Sequence, residues 1–332
     1  MGVTVAIDAM GGDRAPGEIV AGALLAVEQL GVTAVLVGRE EEVRAHLPDG
    51  RPPGGVQLVD AREVVGMGDE PAAAVRSRKD SSIVRCAQAV RDGAADAMVS
   101  AGNTGAAMAA ALLRIGRIRG VARPAIAVPI PVPGHVSQIL VDAGATVDAA
   151  PEWLVQFARM GRAYAQVRSG IESPRVGLLS NGEEPGKGDD LRKRTFELLQ
   201  DLPGFVGNVE GGDFMRPDTV DVVVTDGFTG NVALKTVEAA LRALALAVFG
   251  LLDSTEEAKR AAEIVTPLLM DVAHYFDPDY TGGGLLLGID GVCVISHGRS
   301  SATAILHATK AARDAVEAGA VERIKEALAS AG

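Results

Sequence analysis

The feature that most constrains this chain is the alternation of short apolar runs with helix-forming runs across glycine-bearing polar turns. The stretch Ala97-Met98-Val99-Ser100-Ala101-Gly102-Asn103-Thr104-Gly105 shows it best. Residues 97–99 read as the end of a buried strand and 100–105 as a polar turn. Residues 106–115 are rich in Ala, Leu and Met, which favour a helix. Strand, tight turn and helix in that order make an anion site: glycines admit a ligand to the backbone, and free N–H groups and the helix dipole favour negative charge. The same pattern also describes an ordinary capped turn, with Asn103 or Thr104 as N-cap.

The pattern recurs along the chain. Residues 3–7, 34–38, 56–60, 175–179, 206–210, 220–225 and 292–295 are further strand candidates. Helices are expected from Pro16 to about Leu30, over 39–47, 81–92, 151–167, 189–199, 232–252, 255–270 and 302–318, with a short one after that. Such alternation predicts a parallel sheet covered on both faces. Residues 125–132 and 137–141, joined by Pro131-Val132-Pro133-Gly134, instead predict an antiparallel hairpin. No internal repeat or low-complexity linker interrupts the 332 residues, and 1–332 is expected to be a single domain.

Composition narrows the function classes. The core must be aliphatic, because 48% of residues are hydrophobic and only 3% aromatic. A net charge of −11 argues against nucleic-acid binding. Cys86 and Cys293 make neither a disulfide scaffold nor a cysteine-rich metal site, and buried inert thiols are expected. The chain opens directly into an apolar strand, so no signal peptide is expected. The longest apolar run, 243–252, is too short to span a bilayer. A cytoplasmic protein is expected.

Four polar glycine turns follow strands, after Ile7, Val99, Thr225 and Ile295. If all four strands are parallel, the turns lie along one edge and form one anion-binding cleft. The loop 182–188 fails the phosphate-loop test: three residues separate Gly182 from Gly186 instead of four, and Gly188 follows Lys187. Lys187 is either an anion's counter-charge or a solvated loop lysine. His297 is either a donor or general acid, or a capping or core histidine. His46, His135, His274 and His307 are read as structural. No GxSxG surrounds Ser100, which argues against a serine nucleophile. Residues 97–141 lack Asp and Glu but hold Arg114, Arg117, Arg119 and Arg123. These form a docking face for an acidic partner, or simply complement a helix dipole. The helix 232–252 is apolar nearly all round towards its end. It is buried, packs on a sister subunit, or touches lipid at 249–252.

With these stretches in view, the chain resembles the PlsX-type phosphate acyltransferases over essentially its whole length. The matching segments are Asp8 to Asp13 (DAMGGD), Lys79 to Ser82 (KDSS), Ser100 to Ala106 (SAGNTGA), Gly182 to Glu184 (GEE) with Lys187-Gly188, Gly207 to Gly211 (GNVEG), Asp226 to Asn231 (DGFTGN), and Gly282 to Gly288 with His297-Gly298. Ala143 replaces the Cys expected in a DCGAN-like segment, and Ser180-Asn181 replaces Asn-Ile. If those side chains touch substrate, chain-length preference differs. The resemblance implies a three-layer α/β/α Rossmann-like fold of the isocitrate dehydrogenase and phosphotransacetylase group, as a homodimer. It implies transfer of a fatty acyl group from acyl carrier protein to inorganic phosphate; no cofactor and no metal-ligand set is read from the residues. It also implies loose membrane-surface contact, where the acyl phosphate passes to a downstream membrane acyltransferase.

Phosphate is already a nucleophile and a thioester is reactive, so the protein must position one and stabilise the oxyanion of the other. Asn103, Lys187, Asn231 and His297 are the candidate catalytic residues. Asp8, Gly11, Gly12, Asp13, Ser100, Gly102, Thr104, Asp226, Thr229 and Gly230 are the candidate substrate-binding residues. Amides with Ser100, Asn103 and Thr104 would hold phosphate; Asn231 or His297 would polarise the carbonyl; the aspartates would orient donors. The four arginines would dock the carrier protein. A nicotinamide-dependent dehydrogenase of the related fold, or a non-catalytic carrier-protein binder, are the alternatives.

Overall fold

The computed structural model describes residues 2–329; Met1 and 330–332 of the expected domain lie outside them. The described strands are β1 (Thr4–Asp8), β2 (Thr33–Gly38), β3 (Val56–Asp60), β4 (Ala97–Ser100), β5 (Ala125–Ile130), β6 (Gln138–Val141), β7 (Val176–Leu179), β8 (Phe205–Val209), β9 (Val222–Val224), β10 (Gly284–Leu287) and β11 (Val292–Ile295). The helices are α1 (Gly17–Leu30), α2 (Glu40–Arg44), α3 (Pro71–Ser77), α4 (Ser82–Arg91), α5 (Thr104–Arg114), α6 (Pro151–Ser169), α7 (Asp190–Leu199), α8 (Gly227–Leu252), α9 (Glu256–Phe276), α10 (Pro278–Thr281), α11 (Ala302–Glu317) and α12 (Ala320–Ala329).

All eleven strands join one sheet, in the order β3-β2-β1-β4-β11-β10-β5-β6-β9-β7-β8. The first five run parallel. The last four are also parallel to one another. Between these blocks, β10 pairs antiparallel with both β11 and β5, and β5 pairs antiparallel with β6, as the hairpin expected from the prolines. Three successive reversals point the two blocks in opposite directions. The expectation that all four glycine turns share one edge is therefore corrected. The turns after β1, β4 and β11 lie on one edge, and the turn after β9 lies on the opposite edge. The strand β10, which the sequence pattern does not announce, supplies the extra reversal.

Strand side chains alternate between two cores. Val5, Ile7, Ala97, Val99, Ile139 and Val222 face a layer holding α1, α6, α11 and α12. Ala6, Met98, Cys293, Ile126, Leu140 and Val223 face a layer holding α4 and α5. Both cysteines are buried and unbridged. A Cβ at Gly22 in α1 would stand 2.5 Å from Ile305 of α11, so these helices pack together only because that position has no side chain.

The helices α3 and α10 have no counterpart in the sequence pattern, α2 stops at Arg44 short of the expected 47, and two further boundaries differ near the site. Residues 226–231 do not form a turn ahead of α8: Asp226 caps it and 227–231 are its first turns. The helix α9 runs on through Pro267 to Phe276, beyond the expected 270. The chain itself does not bury α8 far along its length. Among its residues Gly227, Gly230 and Leu234 are buried, while Leu244, Leu246 and Leu251 are exposed. Ile264, Leu268 and Val272 of α9 are exposed too, so α8 and α9 carry apolar side chains with no cover from this chain. No described helix is long and apolar enough to cross a membrane.

Candidate active site

The adjacent strands β1, β4 and β11 bring their three turns together. Asp8 ends β1 and Ser100 ends β4, and both are buried. The Ser100 hydroxyl donates to Asp8 Oδ2 at 2.7 Å and accepts the Gly102 amide at 3.1 Å. Burial pushes the Asp8 carboxyl above its ordinary range, against the Ser82 and Ser100 hydroxyls and the Met10 amide. A Cβ on Gly11 would come within 2.5 Å of Asp8 Oδ2 and 2.8 Å of the Gly102 nitrogen. Gly12 has φ +111 and the Asp13 amide donates to the Gly298 carbonyl at 2.7 Å. The three loops meet backbone to backbone, as the glycines require. Asn103 is the N-cap of α5, its Oδ1 accepting from Ala106 at 3.0 Å and its Nδ2 donating to the Met67 carbonyl at 2.9 Å. The expected N-cap at Asn103 is observed. Thr104 begins α5 and is exposed.

A groove opens beside this corner, with an empty volume of about 830 Å³ including the solvent at its mouth. Thr104, Ser296 and His297 line one side, and Ile126, Val128 and Ile130 of β5 line another. Asn231, Leu234, Lys235, Glu238 and Leu241 of α8 form a further wall. The helix starts at the opposite edge and brings these residues to the groove. Lys235 Nζ lies 2.8 Å from Glu238 Oε2 and 3.5 Å from His297 Nδ1. His297 Nε2 is 3.4 Å from Glu238 Oε1. Burial raises the Glu238 carboxyl, but His297 and Lys235 together hold it below its ordinary range. Lys235 and Glu238 were missed in the sequence. Their signal was the spacing 231, 234, 235, 238, one face of a helix through Asn231.

At the other edge, the corner after β9 is closed. The Asp226 carboxylate accepts the Thr229 amide and hydroxyl, each at 2.8 Å, and an Nη2 of buried Arg192. The same Arg192 reaches Thr225 at 3.1 Å, Thr229 at 2.9 Å and Asp189 at 3.0 Å. Burial raises the Asp226 carboxyl, but Thr229 and Arg192 outweigh it and hold it low. Arg192 has no sequence signal beyond the Asp189 cap three residues before it. Asp142 accepts four backbone amides, from Ile126, Gly144, Ala145 and Thr146, at 2.6–3.0 Å. A Cβ on Gly230 would fall 1.9 Å from the Asp142 carbonyl oxygen, so this glycine is a packing requirement. Asn231 Nδ2 donates to the Ala143 carbonyl at 3.1 Å. Ala143 itself lines the groove, so the departure from Cys falls on its wall.

Lys187 is half exposed, 4.0 Å from Glu184, and does not line the groove. The arginines follow α5 down to the edge opposite the Ser100 corner. Arg117 folds back on the Val121 and Ala122 carbonyls, and Arg123 lies 5.0 Å from the Trp153 ring centroid. Among the described residues no three His, Cys, Asp or Glu side chains are grouped to hold a metal ion.

Residues 3–323 match a family model described as "Fatty acid synthesis protein". A phosphate acyltransferase of Desulfitobacterium hafniense is 46% identical over 325 residues, 98% of this chain and 97% of that one. One from Pelotomaculum thermopropionicum is 47% identical over 327 residues, 98% and 95%. Among solved structures, a phosphotransacetylase from Streptococcus pyogenes aligns with TM-score 0.62 at 17% identity, over 96% of this chain and 94% of that one. A branched-chain phosphotransacylase from Enterococcus faecalis aligns with TM-score 0.60 at 16% identity, over 95% and 99%. That likeness concerns the fold, and it agrees with the expected α/β/α Rossmann-like sandwich. The near full-length match in sequence, over the turns and groove just described, shows that the chain belongs to the fatty acid synthesis protein family of phosphate acyltransferases and is an acyltransferase.

Proposed function

We propose that the chain transfers a fatty acyl group from acyl carrier protein to inorganic phosphate. The observation that carries this is one groove with apolar β5 side chains on one wall and Lys235, Glu238, His297 and the start of α5 at its rim. An acyl chain fits the first and a phosphate the second. Phosphate oxygen attacks the thioester carbon, a C–O bond forms, and the C–S bond breaks to release the carrier thiolate. His297 takes the phosphate's proton and returns it to that thiolate, so no proton is gained or lost overall. The counter-charge expected of Lys187 falls to Lys235, which stands at the rim. Thr104 and the α5 amides hold phosphate, and the buried Asp8–Ser100 pair fixes the loop that presents them. Asn103 acts through the loop it caps.

The finer expectations belong to the same proposal. Residues 1–332 act as one domain in the cytoplasm. The uncovered faces of α8 and α9 meet a sister subunit, and the 249–252 tip touches the membrane, where a membrane acyltransferase takes the product. The arginine face docks the carrier protein; Arg119→Glu tests it better than Arg117→Glu, because Arg117 also holds two carbonyls. A higher KM for the carrier protein is expected, and an unchanged one removes the arginine face from the proposal.

The deciding assay is free thiol released from palmitoyl-acyl carrier protein with and without phosphate. Phosphate-dependent release with acyl phosphate formed is expected. Release without phosphate would mean a thioesterase, and retention without release a binding protein. An absorbance change with NAD(P) in the mixture would favour the dehydrogenase alternative.

A further inference from the structure

We propose that Met215 is the end stop of the groove and sets the length of acyl chain the enzyme prefers. This rests on the acyl chain occupying the groove. Met215 lines the groove with φ +62, a left-handed conformation that side-chain-bearing residues rarely adopt. One buried side chain holds it there. Gln138, the first residue of β6, accepts the Met215 amide at 2.8 Å through Oε1. Its Nε2 reaches the carbonyls of Asp213 at 2.9 Å, Arg216 at 3.2 Å and Val220 at 3.1 Å. The backbone on both sides of Met215 is thus fixed to the sheet. Strained conformations of this kind persist where the surroundings over-determine them, and they cluster at ligand sites.

The topology places this residue at the far end from the polar cluster. His297 follows β11, and Gln138 pairs with Ile130 across β5 and β6. Because β11 and β6 run in opposite directions, the end of one and the start of the other share an edge. Three strand spacings separate them, about 14 Å at ~4.8 Å each. Val128 and Ile130 of β5 lie between, both on the groove wall. An acyl chain whose carbonyl is at His297 and which runs across β10 and β5 therefore meets the Met215 thioether. Shortening that side chain lengthens the groove, and a bulkier one shortens it.

The test is kcat/KM of wild type, Met215→Ala and Met215→Phe on lauroyl-, myristoyl-, palmitoyl- and stearoyl-acyl carrier protein. Met215→Ala is expected to raise the stearoyl-to-lauroyl ratio on the order of tenfold, and Met215→Phe to lower it by a similar factor, since pocket length discriminates at that scale per methylene. Gln138→Leu is expected to flatten the preference by freeing the loop; if that variant does not fold, the Met215 pair decides. Active Met215 variants with unchanged ratios, whatever their melting temperatures, would overturn the end stop and leave the transferase standing. Absence of acyl phosphate with every wild-type substrate would instead overturn the transferase reading beneath it.

Discussion

The corner after β4 and the corner after β9 look alike as sequence, each an apolar strand, a polar glycine stretch and a long helix. In the fold they are opposites. At the first, Thr104 and His297 are exposed, and Lys235 and Glu238 stand over an open groove. At the second, the Asp226 oxygens, the Thr229 hydroxyl and the Arg192 guanidinium are engaged with one another out of solvent. Glycines are packing requirements at both corners: a Cβ at Gly105 would stand 2.6 Å from Pro71, and one at Gly230 only 1.9 Å from the Asp142 carbonyl oxygen. One corner leaves Thr104, Lys235 and His297 facing an open groove; the other uses its polar groups to anchor the helix that carries Asn231, Lys235 and Glu238 there.

Breaking the closed corner should have the largest effect. Arg192→Leu leaves the Asp226 carboxylate buried without its cation, and should cost about 3 kcal/mol of stability near pH 7. Asp226 is held low in the folded protein, so its contribution is present above about pH 4 and lost as pH falls through its depressed value. The gap between wild type and variant in urea midpoint should therefore narrow towards about pH 3. A gap that is small at neutral pH, or that does not narrow, would mean the pair is not a stabilising one.

Breaking the open corner should act on rate instead. His297→Asn is expected to lower kcat on the order of a hundredfold with melting temperature unchanged. Equal activity would remove His297 from the proton path. The smallest effect sharpens the difference within the open corner. Asn103→Ala should lose about 1 kcal/mol of stability, the worth of a helix cap. A loss of kcat as large as that of His297→Asn would make Asn103 a direct phosphate contact.

Much of this was visible in the chain alone. The alternating pattern specified the strands other than β10, the prolines the β5–β6 hairpin, and the glycines the loops that meet at Asp8, Gly11, Gly12 and Gly102. Local backbone demands and side-chain periodicity are written into neighbouring residues, so they can be read there. What the tertiary structure decided was direction and company. The sheet reverses between its blocks through β10 and β5, pairings between residues 125–130 and 284–287 that no local signal carries. That reversal moved Asp226 away from Ser100 and let α8 cross the sheet, placing Lys235 and Glu238 beside His297, some 60 residues away in sequence. It also set Gln138 against the 213–220 loop and so placed Met215. Such contacts join distant segments, and only the pairing of strands fixes which segments those are.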